Sequence, residues 1–176
     1  MEWIASQGTA TLPVGIHGAV GSCWVPRLDL HHGGTLEDVC LSYELTGQPH
    51  GKVVLVLGGI SAGRHVCATP ADRQNGWWED IVGAGRAIDT NRFRVLGFDF
   101  LGGNGETTGP RATDAESFPT ISTFDQADCL AQVLDHLGIE RLHGLVGASY
   151  GGMVGLAFAA KYPGRLERLT DRKSVV

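Results

Sequence analysis

Gly147-Ala148-Ser149-Tyr150-Gly151 is the stretch on which the reading of the fold turns. A serine set among small residues suggests a nucleophile elbow, a sharp turn from strand to helix that holds the hydroxyl out at the top of a sheet. The small flanks have a steric reason: they let the chain turn tightly and keep Ser149 in a strained backbone conformation. The pattern alone is weak support in a chain with 26 glycines among 176 residues, where a glycine-rich structural turn is the plain alternative. The flanks supply the context the motif requires. Leu142 to Val146 is a short, largely apolar run, suited to a strand. Met153, Val154, Leu156, Ala157, Phe158 and Ala160 follow as a helix that stops at Tyr162-Pro163-Gly164.

Working towards the N-terminus, two more apolar runs resemble strands buried on both faces. Val53 to Leu57 ends in Gly58-Gly59-Ile60-Ser61-Ala62-Gly63, and Arg94 to Phe98 is followed by Gly102-Gly103-Asn104-Gly105. Between the second run and the elbow lies a helix with Phe124, Ala127, Leu130, Val133, Leu134 and Leu137 on one face. Thr123 and Gln126 have the spacing of a capping box, and Gly138 stands just past the end. Leu28 to His32, Gly33-Gly34, then Val39, Leu41, Tyr43 and Leu45 in strict alternation predict two antiparallel strands. Residues 1–27 read as a loose arm. The expected class is α/β: a mostly parallel sheet covered on both faces, with an antiparallel N-terminal hairpin.

The bulk numbers limit the choice of partner. A net charge of −5, a pI near 5.7 and the lack of a basic stripe argue against nucleic acid. No apolar run approaches the ~20 residues of a membrane span. Met1-Glu2-Trp3-Ile4 does not open a secretory signal, so a cytoplasmic location is expected. Cys23, Cys40, Cys67 and Cys129 are widely spaced, which suits buried free thiols better than a disulfide framework or a zinc site; no metal and no bound cofactor are expected. His31, His32, His65, His136 and His143 read as surface or satisfied polar residues, and Trp77-Trp78 as packing.

The loop Gly58 to Gly63 does not match a dinucleotide fingerprint, and no Walker lysine follows it. Downstream of it stands a serine elbow, so its better use is an oxyanion hole. The backbone N–H of Ile60 would face a reacting carbonyl together with that of Tyr150. On this reading, displacing the turn through Gly59 would damage catalysis, whereas the side chains of Ile60 and Tyr150 would shape the acyl pocket. The alternative is that Gly58 and Gly59 merely end a strand.

Several longer motifs resemble the homoserine O-acyltransferases of the α/β-hydrolase superfamily, over about Leu28 to Leu169. They are Gly76-Trp77-Trp78-Glu79-Asp80 with Gly83-Ala84-Gly85 and Ala87-Ile88-Asp89-Thr90; Leu101-Gly102-Gly103-Asn104-Gly105-Glu106-Thr107-Thr108-Gly109-Pro110; and Leu137-Gly138-Ile139-Glu140-Arg141 leading into Gly147 to Met153. The resemblance implies acyl transfer from acetyl-CoA or succinyl-CoA, as co-substrate, to the hydroxyl of L-homoserine on the way to methionine, with Ser149 as nucleophile. It leaves a homodimer open for the longer parent. Three departures fall around the acyl group: Gly58-Gly59-Ile60-Ser61-Ala62 stands in place of a His-Ala-Leu-Thr-Gly type loop, Tyr150 follows the nucleophile, and Ala148 replaces a frequent glycine. They leave the donor open, and with it the acceptor, since a relative acting on serine would look similar.

In this fold a triad runs Ser, then Asp or Glu, then His, yet every histidine here precedes Ser149. The expectation is therefore an incomplete α/β-hydrolase domain over 28–170, truncated after the elbow helix, with the acid and base lying outside it. Asp171 to Val176 break the apolar pattern and match the translation of a common sequencing adapter, so 171–176 are expected to be an artefactual tail. Two other functions compete with acyl transfer. An esterase or thioesterase would use the same serine with water as acceptor. An inactive scaffold would expose an unpaired sheet edge.

Overall fold

The computed structural model describes residues 18–103, 105–110 and 117–172. Six strands form one sheet in the order β1-β2-β6-β3-β7-β8. β1 (Ala19–Asp29) and β2 (Thr35–Gly47) are an antiparallel hairpin, and β2 lies antiparallel to β6 (Phe93–Phe98). From β6 onward the sheet is parallel, through β3 (Lys52–Leu57), β7 (Gly144–Ala148) and β8 (Leu169–Arg172). The two-residue strands β4 (Val82–Gly83) and β5 (Ile88–Asp89) pair apart from it.

The N-terminal boundary differs from the expected one. Strand β1 begins at Ala19, so residues 19–27 belong to the sheet, in register from Ala19 opposite Leu45 to Asp29 opposite Thr35. Alternate side chains decide it: Cys23 and Val25 are buried while Trp24 faces out. Two apolar residues among Gly, Ser and Pro make too short an alternation to read from sequence. Pro26 has no N–H for the ladder, and the register skips it and Asp38. Residues 1–17 of the expected arm lie outside the described residues, as do 173–176 of the expected tail. The first two residues of that tail, Asp171 and Arg172, pair with Gly147 and Ala148 in β8.

Each face of the sheet has its own apolar cover. Helix α1 (Thr123–His136) and helix α2 (Tyr150–Lys161) pack on one face, against Leu41, Leu45, Leu55, Leu57, Leu96 and Leu145. On the other face Val54, Val56 and Val95 meet Val66, Cys67 and Val82 from the irregular segment between β3 and β6, with Trp77 and Trp78 packed alongside. The two indoles stack at 5.2 Å, and Trp77 donates Nε1–H to the Gly63 carbonyl at 2.9 Å, so the pair works as packing. Helix α1 starts one residue earlier than the expected capping box: Ser122 is the N-cap, with Asp125 completing the box. Gln126, expected to help cap, is buried instead. Gly138 follows the helix at φ +65°, as a helix stop requires.

Candidate active site

Ser149 sits between the C-terminal end of β7 and the first turn of α2 at φ 55°, ψ −119°, a left-handed conformation that costs energy for a residue with a side chain. What holds it there is close backbone approach on both sides. A Cβ at Gly151 would lie 2.5 Å from the Leu57 carbonyl oxygen and 2.6 Å from that of Gly58. One at Gly147 would run into the Gly151 carbonyl. The strain is fixed by hydrogen bonds around it: Gly151 N–H donates to the Gly58 carbonyl at 2.8 Å, and Ser149 N–H to the Arg172 carbonyl at 3.1 Å. The serine is exposed, and its side chain makes no capping bond. Among the described residues, no histidine or carboxylate bonds its hydroxyl.

The bond from Gly151 to Gly58 places the loop after β3 directly beside the elbow. Ile60 stands on that loop with 61% of its surface exposed. Tyr150 occupies the first position of α2, whose N–H has no partner within a helix. Among the described residues, the N–H groups of Ile60 and Tyr150 donate to no protein acceptor, so both stand free where loop and helix meet. The side chains part company. Tyr150 turns its ring inward, edge-on to Phe100 at 5.0 Å; burial raises its phenol pKa, and the nearby Gln126 amide opposes that shift. The two glycines of the loop are not equivalent. A Cβ at Gly58 would strike Ala62 and come within 2.9 Å of the Trp77 ring, whereas one at Gly59 would meet nothing within 4 Å.

Around this pair lie two buried polar residues, Asp99, which the sequence does not single out, and Gln126, whose spacing suggests only a helix cap. Asp99, 2% exposed at the end of β6, accepts from the Arg64 N–H at 2.7 Å and the Glu106 N–H at 3.0 Å, and pairs with the Arg64 guanidinium. Gln126 accepts from the Leu101 N–H at 3.0 Å and donates to the Leu101 carbonyl at 2.9 Å. A signal existed in each case: a carboxylate directly after an apolar strand, and an amide in the apolar stripe of a helix, four residues before Leu130. A cavity of about 90 Å³ opens between the two loops, lined by Ile60, Ser61, Gly63, Asp99, Phe100 and Gly105. A larger cavity, about 590 Å³ and lined by Thr46, Thr69, Arg73 and Asn91, lies at the opposite end of the parallel strands, away from Ser149.

The other nucleophile and ligand types are placed elsewhere. All four cysteines are free, and burial first, then Glu79 and Glu44, pushes the Cys67 thiol up to about 11. His65 lies between the Glu44 carboxylate and the Gln74 carbonyl, and His143 contacts Glu167. Among the described residues, no three His, Cys, Asp or Glu side chains gather as a metal site, and no helix is long and apolar enough to cross a membrane.

Known proteins resemble this chain in sequence and in fold. Residues 52–170 match the family described as alpha/beta hydrolase fold. The chain is 48% identical over 145 residues to a homoserine O-succinyltransferase of Xanthomonas campestris pv. campestris, covering 82% of this chain and 36% of the relative. It is 35% identical over 152 residues to a serine O-succinyltransferase of Emericella nidulans, covering 81% and 29%. Among solved structures, a homoserine O-acetyltransferase from Bacillus anthracis superposes with a TM-score of 0.78 at 27% identity, covering 89% of this chain and 47% of that one. The chain thus spans about a third of the length of these curated relatives. With its strained serine between strand and helix and the parallel strands of a mixed sheet behind it, the chain belongs to the alpha/beta hydrolase fold family.

Proposed function

We propose that this chain is the nucleophile-bearing part of an acyltransferase that moves a succinyl group from its CoA thioester to the side-chain hydroxyl of homoserine. The observation that carries the reading is Ser149, exposed in a strained turn beside two unengaged backbone N–H groups, in a chain 48% identical to a homoserine O-succinyltransferase. The Ser149 hydroxyl would attack the thioester carbonyl, giving its proton to a base supplied from outside the described residues. The carbonyl oxygen would become an oxyanion stabilised by the N–H groups of Ile60 and Tyr150. The C–S bond then breaks, the thiolate of CoA leaves with the proton, and succinyl-Ser149 remains. The homoserine hydroxyl attacks that ester by the same route in reverse and regenerates the serine.

The test uses a full-length enzyme carrying this sequence. Mixed with succinyl-CoA alone, it should release a burst of free CoA equal to the active sites, and steady turnover should require homoserine. Ser149→Ala should abolish the burst while leaving the fold intact. Steady release without an acceptor would instead make the protein a thioesterase. Turnover on serine but not homoserine would move it to the other acceptor. A burst that survives Ser149→Ala would remove this serine from the chemistry.

A further inference from the structure

We propose that Asp99 and Gln126 are positioning residues that hold the two oxyanion donors, Ile60 and Tyr150, at a fixed separation; the inference rests on the acyl-transfer reading above. The donors come from elements distant in sequence: Ile60 from the loop after β3, Tyr150 from the start of α2. The segment between them in space is Asp99-Phe100-Leu101, which leaves the end of β6. At its first residue the buried Asp99 carboxylate takes the Arg64 N–H and guanidinium on one side and the Glu106 N–H on the other. The loop bearing Ile60 is thereby tied four residues downstream of it. At the second residue, the Phe100 ring stands edge-on against Tyr150. At the third, Gln126 grips both backbone groups of Leu101. One three-residue segment is therefore anchored to both donor-bearing elements by side chains that are almost wholly buried.

The surroundings are shaped for this carboxylate. A Cβ at Gly63 would come 2.9 Å from Asp99 Oδ1, and one at Gly105 would overlap the carboxyl group itself. Asp99 satisfies one backbone N–H group from each of two loops, so its loss releases both loops rather than one contact. Gln126 is suited to its task because Leu101 presents a donor and an acceptor together, and its side-chain amide carries a separate acceptor and donor to match both. An oxyanion hole acts only in the transition state. Misaligning it should therefore lower kcat and leave ground-state binding of the thioester alone.

In the full-length enzyme, Asp99→Asn and Gln126→Glu should each lower the rate of the succinyl-CoA burst about ten- to a hundredfold, within the roughly 10²–10³ that a lost oxyanion donor costs. KM for succinyl-CoA should stay within about threefold. A trifluoromethyl ketone analogue of the thioester, whose adduct carries the oxyanion, should lose affinity in step with the rate, which a merely structural role would not produce. Should Asp99→Asn fail to fold, Gly63→Ala displaces the same carboxylate by a smaller amount and should give the same kcat-only loss. Folded variants with unchanged kcat, or with the loss wholly in KM, would overturn the proposal. Ser149→Ala separates the two failures: if it abolishes the burst while these variants react normally, only the positioning role falls, and if the burst survives it, the acyl-enzyme reading falls first.

Discussion

Ser149 owes its geometry to its neighbours' lack of side chains. Its φ of 55° is costly, and the chain adopts it because Gly147 and Gly151 let β7, α2 and the end of β3 meet at backbone contact. Gly151→Ala would press a methyl group against the Leu57 carbonyl, and overpacking of this kind costs about 1–3 kcal/mol. The variant should show both a lower urea midpoint and a slower burst; unchanged values for both would mean that the elbow has room to spare. In the neighbouring loop the structure moves the sensitive position from Gly59 to Gly58. Gly58→Ala should depress kcat steeply through its clash with Ala62 and Trp77, while Gly59→Ala, which points into open space, should turn over at close to the normal rate. Normal turnover by both variants would show that this loop's backbone plays no part in catalysis. Tyr150 is likewise recast: its side chain packs on Phe100, so substituting it disturbs the interior of the site before any acyl pocket.

Helix α1 and the segment after β3 show how polar groups fix whole elements. Asp125 is fully buried at the helix start, where it accepts from the Ser122 N–H at 2.7 Å and the His31 N–H at 2.6 Å. Capping thereby also pins the turn between β1 and β2 to the helix. Asp125→Ala strands those donors, and because bonds to a charged group are each worth about 1.5–3 kcal/mol, a loss of at least about 2 kcal/mol in urea unfolding is expected. A loss below about 0.5 kcal/mol would put the anchor elsewhere. The segment carrying Val66 and Cys67 is held to β2 by His65. A carbonyl faces its Nε2 and a carboxylate its Nδ1, so the imidazole is best satisfied with both nitrogens protonated. Burial lowers its pKa, but the Gln74 carbonyl and then Glu44 outweigh that, and the net shift is upward. A group whose pKa is raised on folding contributes its full stability below the unfolded value, and loses it as the pH climbs through the folded one. The melting temperature should therefore fall between about pH 6 and pH 8 more steeply than in His65→Gln. Parallel profiles would mean that His65 does not titrate across folding.

Across the whole molecule, stability comes from two apolar layers on one twisted sheet. The layer under α1 and α2 is the larger, with Phe158, Leu130, Leu134 and Leu145 fully buried in it. Phe158→Ala should cost about 3–5 kcal/mol, the range for an aromatic removed from a close-packed interior. Trp24 is as large but 68% exposed on β1, so Trp24→Ser should change stability by no more than about 0.5 kcal/mol. Denaturant midpoints of the two variants measure the contrast directly. An equal loss at both sites would show that the outer face of β1 is covered in solution.

Much of this was already written in local pattern. The elbow, the apolar strands Val53 to Leu57 and Arg94 to Phe98, and both helices follow from periodicity and turn chemistry, which depend on near neighbours alone. The resemblance of the longer motifs pointed to the family. The sheet order, with β6 inserted between β2 and β3, follows no sequence neighbourhood, because strand pairing is decided by which apolar faces can be covered together. Strand β1 was hidden for the same reason: only pairing with β2 turns its small residues into a strand. Asp99 and Gln126 were the least legible residues, since a buried polar side chain is recognised by the donors that surround it, and those come from segments that only the folded chain brings together.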